Sequence, residues 1–156
     1  MTEVLVGTKK GLFVLEGEPD AGYEVTGRAF AGEPVEYALR DPRSGRLLAA
    51  VSSPFYGPKV FFTDDPAGEW EQAEGVALPE GGDAALERIW VIVPGEAEQT
   101  LYAGGDPGVL FESRDGGESW SSTAACGSTR LGRTGSRAAA GCACTRSCRG
   151  PASPTA

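Results

Sequence analysis

Ser113-Arg114-Asp115-Gly116-Gly117-Glu118-Ser119-Trp120 is a turn sequence that follows a strand-forming run, and it decides the fold. The Asp115 carboxylate is placed to accept hydrogen bonds from backbone N–H groups of the loop that follows it, and the Ser113 hydroxyl can bond locally. Gly116 and Gly117 permit the positive φ angles of a tight loop. Trp120 brings a large apolar surface back against the sheet. The segment therefore predicts a carboxylate-held loop between two strands.

A second, degenerate copy of this pattern lies 50 residues earlier. Thr63, Asp65 and Trp70 repeat the hydroxyl residue, the aspartate and the tryptophan, and both copies follow a small-residue strand, a Gly/Pro turn and an apolar strand. A fainter copy begins at Val4 and has Tyr23 where the others have tryptophan, 47 residues before Trp70. Short strands that recur at about 45–50 residues, without helical periodicity, are typical of β-propeller blades.

The turn residues divide residues 1–120 into three blades of a partial propeller. We predict an all-β chain with about two and a half four-stranded antiparallel blades and a disordered C-terminal tail. The predicted strands are 3–8, 11–16 and 23–30 in blade 1–32; 35–41, 47–53, 59–64 and 70–74 in blade 33–80; and 87–93, 100–104, 109–114 and a stub at Trp120 in blade 81–120.

The run Ile89-Trp90-Val91-Ile92-Val93 is apolar throughout, which predicts an inner strand buried on both faces. The preceding residues 84–88 favour a helix, so a helix over residues 84–93 is an alternative. The β-branched residues and Pro94 favour the strand.

Charge and cysteine are distributed unevenly along the chain. All 22 acidic residues lie at or before Glu118, whereas residues 121–156 hold five arginines and all four cysteines. The net charge of −8 argues against a nucleic-acid or anionic-membrane partner. The N-terminus lacks the basic region of a secretory signal, and no apolar run approaches the length of a membrane span. We therefore expect a cytoplasmic protein.

Residues 121–156 contain one large aliphatic residue, Leu131, and no aromatic residue. Such a segment cannot bury enough apolar surface to offset its ordering entropy, which predicts disorder. Arginine and cysteine without any acidic residue or lysine is the composition that GC-rich codons give in a wrong frame. Restoring one base after the Trp120 codon permits a strand-like continuation, so we interpret the tail as out of frame and the chain as a fragment. A genuine cysteine-rich tail is the alternative.

The first 120 residues resemble the BNR/Asp-box repeat β-propellers, a superfamily often labelled sialidase-like or glycosyl-hydrolase-like. The resemblance rests on Val4–Phe13, Phe55–Val60 and Leu101–Trp120. It implies a six- or seven-bladed propeller in which each Asp box joins the third and fourth strands of a blade, away from the central ligand cleft. Asp boxes also occur in many propellers that are not glycosidases, so the label concerns the fold alone.

The candidate site residues are structural rather than catalytic. We assign Ser113, Asp115, Gly117, Trp120, Thr63, Asp65 and Trp70 to two Asp boxes, and we expect neither a metal nor a cofactor. The chain has no histidine, which excludes Ser-His-Asp and Cys-His nucleophile systems and His-ligated zinc. Arg40 and Arg88 lie at or beside predicted inner strands and are the candidates for facing a central channel.

These features favour a non-catalytic propeller whose channel face binds a small ligand or a protein. The alternative is a sialidase-like glycoside hydrolase whose catalytic residues lie largely in other blades. A third possibility is a chain that does nothing on its own because it cannot close a ring; its open sheet edges predict aggregation.

Overall fold

The chain is described by a computed structural model that covers residues 1–78 and 85–123. The predicted disorder of residues 121–156 is wrong at Ser121–Ser122, which form a short strand; residues 124–156, with the rest of that prediction and the altered reading frame, lie outside the described residues. Within the described ranges the chain is all-β, contains no helix and forms three antiparallel sheets.

Strands that follow one another in the chain pair with one another, so each sheet is a meander. The first sheet contains β1 (Thr2–Thr8), β2 (Gly11–Glu18) and β3 (Gly22–Ala29). The second sheet contains β4 (Val35–Arg40), β5 (Leu47–Ser53), β6 (Gly57–Thr63) and β7 (Glu71–Gln72). The third sheet contains β8 (Arg88–Pro94), β9 (Leu101–Asp106), β10 (Val109–Ser113) and β11 (Ser121–Ser122).

The predicted strands agree with the observed strands to within a few residues, because Gly and Pro turns separate the apolar runs. Two differences concern the fourth strands. β7 is shorter than the predicted strand 70–74, and β11 lies just beyond the predicted stub at Trp120. The helical alternative for residues 84–93 is wrong over Arg88–Val93, where β-branched residues form β8.

The second and third sheets repeat each other in detail. In both, the first strand has a register shift near its start, between Val35 and Tyr37 in β4 and between Ile89 and Val91 in β8. In both, an aspartate-containing loop joins the third strand to a two-residue fourth strand. Position for position, Leu48 in β5 therefore corresponds to Tyr102 in β9.

The three sheets pack face to face in chain order: β4 contacts β1 and β2 of the first sheet, and β8 contacts β4, β5 and β6 of the second. Alternate residues of the second sheet face opposite ways. Leu48 and Phe62 pack toward the third sheet, and Ala49 and Phe61 pack toward the first. Each of the two junctions therefore has its own apolar core.

The predicted burial of both faces of β8 is wrong. Ile89 and Ile92 are fully buried against the second sheet, but 53% of Trp90, 36% of Val91 and 41% of Val93 is exposed. The reason is that the described sheets cover only one face of the third sheet. The register shift adds to the exposure, because it places an extra residue, Trp90, on the strand.

Candidate functional site

The loop after β10 is organised around the Asp115 carboxylate. Oδ1 accepts hydrogen bonds from the Ser113 hydroxyl at 2.7 Å and from the N–H groups of Glu118 and Ser119, both at 3.0 Å. Oδ2 accepts from the N–H of Ser119 at 3.1 Å and from its hydroxyl. The Ser113 oxygen accepts from the N–H of Gly117 at 2.9 Å. Both carboxylate oxygens are thus engaged inside the loop.

These contacts fix the charge of Asp115. Burial by itself raises the pKa of this carboxyl, but hydrogen bonds from Ser119, Ser113 and Glu118 to the ionised form hold the pKa below its ordinary value of 3.8. A general acid requires the opposite shift, toward the working pH. The chemistry of Asp115 is therefore that of a loop-holding anion.

The loop after β6 is a weaker version of the same device. The Thr63 hydroxyl donates to the backbone oxygen of Asp65 at 2.8 Å and accepts from its N–H at 3.2 Å. The Asp65 carboxylate accepts a hydrogen bond from the N–H of Ala67 at 2.9 Å. The carboxylate of the adjacent Asp64 instead accepts a hydrogen bond from Arg46, which lies outside the loop. The two adjacent carboxylates thus serve different partners.

The two tryptophans occupy equivalent places. Each lies directly before the fourth strand of its sheet and packs toward the preceding sheet. Trp120 is buried between the second and third sheets, and its Nε1 donates to the Gly117 oxygen at 3.0 Å. Trp70 packs between the first and second sheets, edge-on to Phe30 with ring centroids 4.9 Å apart.

Arg46 links the two aspartate loops, and the sequence pattern did not single it out. Its guanidinium makes two hydrogen bonds to Asp64, at 2.7 and 3.1 Å, and one to Glu118 at 2.9 Å. It also lies over the Phe62 ring, 4.9 Å from the centroid. These partners come from both the second and the third sheet, so Arg46 stabilises the junction between them.

Arg43 makes a second link across this junction. It pairs with the buried Asp41 carboxylate, and its guanidinium donates to the backbone oxygens of Gly95, Ala97 and Thr100 in the loop after β8. Hydrogen bonds from Arg43 lower the pKa of Asp41 below its ordinary value, against the opposing effect of burial.

The two candidate channel residues are not brought together. Arg40 is the last residue of β4, whereas Arg88 is the first residue of β8, so they lie at opposite ends of corresponding strands. Arg40 donates two hydrogen bonds of 2.6 Å to the Glu3 carboxylate of β1. Arg88 is exposed and lies over the Trp90 ring, 5.4 Å from its centroid. Arg40 is thus committed to an internal ion pair.

A groove of about 600 Å³ lies between the first two sheets, beside the Glu3–Arg40 pair. It combines carboxylates, a guanidinium group and aromatic rings; the side chains that give it this character are Glu3, Glu16, Phe30, Arg40 and Trp70. Glu3 and Glu16 are cross-strand partners, so their side chains project from the same face. The hairpin turn at Lys9–Lys10 sets this pairing, which could have been inferred from the sequence.

Among residues 1–78 and 85–123, no three or more His, Cys, Asp or Glu side chains are grouped so that they could hold a metal ion. No helix of the described chain is long and apolar enough to cross a membrane.

A scan against protein-family models found no match, and a search of curated proteins found none.

Proposed function

We propose that residues 1–123 form consecutive blades of a BNR/Asp-box β-propeller and that the chain acts as a non-catalytic binding scaffold. The fold proposal is supported by the repeated strand order, the shared position of the register shift and the equivalent tryptophans. It is also supported by the contact between β4 and β8, the first strands of the second and third sheets, because first strands line the central channel of a propeller.

The observation that carries the scaffold proposal is that two charged groups suited to catalysis, Arg40 and Asp115, are already paired inside the protein. Arg40, the candidate clamp for a substrate carboxylate, is bound by both oxygens of Glu3. The Asp115 carboxylate is saturated by its own loop. A catalytic arginine or acid must instead offer its polar atoms to a substrate.

The groove between the first two sheets is the proposed binding site. Its aromatic rings, Phe30 and Trp70, offer flat apolar surfaces, and Glu3 and Glu16 offer acceptors for hydroxyl or amino groups. We infer that it takes a small polar ligand or a polar segment of a partner protein. Saturation-transfer NMR with a panel of saccharides and amino compounds tests this, with Trp70→Ala as the disruptive variant.

Saturation transfer to the ligand that is lost in Trp70→Ala and retained in Trp90→Ala would support binding in the groove, since Trp90 lies outside it. Equal transfer to both variants would place the ligand elsewhere and refute this assignment.

A fluorogenic assay against sialosides and common glycosides tests the absence of catalysis. The scaffold proposal expects no turnover above the rate of a heat-denatured sample, in the wild-type chain and in Arg40→Ala and Arg88→Ala alike. Turnover that depends on either arginine would overturn it.

The alternative, a glycoside hydrolase, is favoured by one observation. Glu3 and Glu16 form a cross-strand carboxylate pair in a groove with aromatic walls, and glycosidases use two carboxylates. In that case Glu16→Gln would abolish turnover, whereas Glu24→Gln, one strand farther along the same face, would retain it.

A further inference from the structure

Two apolar sheet faces, one at each end of the stack of sheets, are open to solvent. The register places Val4, Val6, Phe13, Leu15 and Val25 on the outer face of the first sheet. It places Val91, Val93, Tyr102 and Leu110 on the outer face of the third sheet, with Trp90 beside them. Val6, Val25, Val91 and Val93 are 36–47% exposed.

Both faces have the composition of a protein interface. On the first outer face the Arg28 guanidinium lies over the Phe13 ring, 5.5 Å from its centroid. On the third, Arg88 covers Trp90 in the same way. Aromatic residues and arginine are enriched at interfaces and supply most of their binding energy.

The two open faces are complementary because of their positions in the repeat. At each junction within the chain, one face of a sheet packs on the opposing face of the next sheet. Leu5, Leu48 and Tyr102 occupy the same register position in β1, β5 and β9, on the face turned away from the preceding sheet. Leu5 and Leu48 pack in the cores of internal junctions, whereas Tyr102 is half-buried on the third outer face.

The same holds for the opposite direction. Val6 of β1 corresponds to Ala49 of β5, which is buried in the core between the first two sheets. Val93 of β8 corresponds to Leu39, which packs in the core between the second and third sheets. The third outer face therefore matches the faces that meet a following sheet, and the first outer face matches those that meet a preceding one.

We propose that two copies of this chain associate head to tail, with the third outer face of each on the first outer face of the other. Each contact then sets a face that meets a following sheet against one that meets a preceding sheet, with the three-stranded first sheet presenting β1 where the second and third sheets present β4 and β8. Two chains of three sheets give six sheets, which is within the range of closed propellers. Closure by a two-fold axis covers both open faces in one step.

The second copy fits these faces better than residues 124–156 do. Those residues contain Leu131 as their single large aliphatic side chain and no aromatic residue, so they offer little apolar surface. The proposal rests on the face-to-face order of the sheets and is independent of ligand binding in the groove. A monomer would refute the ring and leave the scaffold proposal intact, whereas glycosidase activity would refute the scaffold and leave the ring intact.

Light scattering coupled to size-exclusion chromatography of residues 1–156 gives the first test. The expected mass is twice the 16.2 kDa of one chain, without larger species. A monomer at every concentration would overturn the proposal, as would open-ended aggregates, because a closed ring leaves no apolar face uncovered.

Charges placed on either face give the second test. Val6→Glu and Val93→Lys each introduce a charge into both junctions of the ring and are expected to give monomers. Phe55→Lys is the matched control, since Phe55 is 87% exposed in the β5–β6 turn, away from both faces. Loss of the dimer in only one of the two face variants would indicate like-with-like packing and overturn the head-to-tail arrangement.

Mixing the two variants restores one unmodified junction and sets Glu against Lys in the other. Head-to-tail closure therefore predicts that Val6→Glu and Val93→Lys form a heterodimer with each other but not with themselves. Failure to do so, with both variants retaining the wild-type circular dichroism spectrum, would count against the proposal.

Dilution of the wild-type chain gives a test that needs no disruptive variant. Dissociation exposes Trp90, so the tryptophan emission is expected to shift to the red on dilution, and the shift is expected to vanish in Trp90→Phe. An emission spectrum independent of concentration across the range where the mass changes would overturn the proposed interface.

Discussion

At the scale of single residues, the two aspartate loops differ in how fully the carboxylate is used. Asp115 accepts hydrogen bonds from three residues, whereas the Asp65 carboxylate accepts one from Ala67. We expect Asp115→Ala to lower the free energy of unfolding by about 2–3 kcal/mol, because it leaves several donors without their charged acceptor. Asp65→Ala, the matched control, is expected to cost about 1 kcal/mol or less. Urea denaturation of both variants measures the difference, and equal losses would contradict this ranking.

The lowered pKa values of Asp41 and Asp115 predict a dependence of stability on pH. A carboxyl whose pKa is lower in the folded than in the unfolded chain contributes stability above the unfolded value. That contribution is lost as the pH falls through the folded value. We therefore expect the free energy of unfolding to decrease progressively below about pH 4, near the ordinary pKa of these groups.

Asp41→Asn provides the check, because it removes one of the carboxyl groups whose pKa is lowered. The difference in unfolding free energy between wild type and Asp41→Asn is expected to shrink as the pH is lowered from 7 to 3. A difference that stays constant over this range would show that the Arg43–Asp41 pair does not set the acid sensitivity.

At the scale of elements, the second and third sheets are joined by arginines as well as by their apolar core. Arg46 is largely buried, contacts Asp64 and Glu118 and lies over Phe62. We expect Arg46→Ala to cost about 1–2 kcal/mol, a modest value because both carboxylates are more than half exposed and their ion pairs are screened. Arg114→Ala, which removes an exposed pair with Glu112, is the control and is expected to leave the urea midpoint unchanged. Equal effects would show that Arg46 has no role at the junction.

The elements were predictable from the sequence where the cause is local. Gly57 and Gly108 adopt positive φ in tight turns, and such residues separate the strands whatever the rest of the chain does. The role of Arg46 was not predictable, since its partners lie 18 and 72 residues away. The exposure of Trp90 was missed for a similar reason. An apolar strand indicates burial against something, but its own sequence does not say whether a neighbouring sheet is present.

For the whole molecule, the free energy of unfolding includes the free energy of association if two chains close a ring. Unfolding of such a dimer releases two chains, so mass action raises the melting temperature as the chain concentration rises. We expect the wild-type melting temperature to increase steadily over a hundredfold range of concentration. Val93→Lys, confined to the monomer, is expected to melt at a lower temperature that does not depend on concentration.

The difference in melting temperature arises from the apolar sheet faces that a single chain leaves exposed. A three-sheet monomer buries Leu48 and Ile89 between its own sheets but exposes Val6 and Val93, whose counterparts Ala49 and Leu39 are packed at internal junctions. Covering these faces adds apolar burial that the monomer lacks, at about 25 cal/mol per Å² of apolar area removed from water. Calorimetry at several concentrations measures the effect. A wild-type melting temperature that stays constant would mean that the internal junctions alone set the stability of the fold.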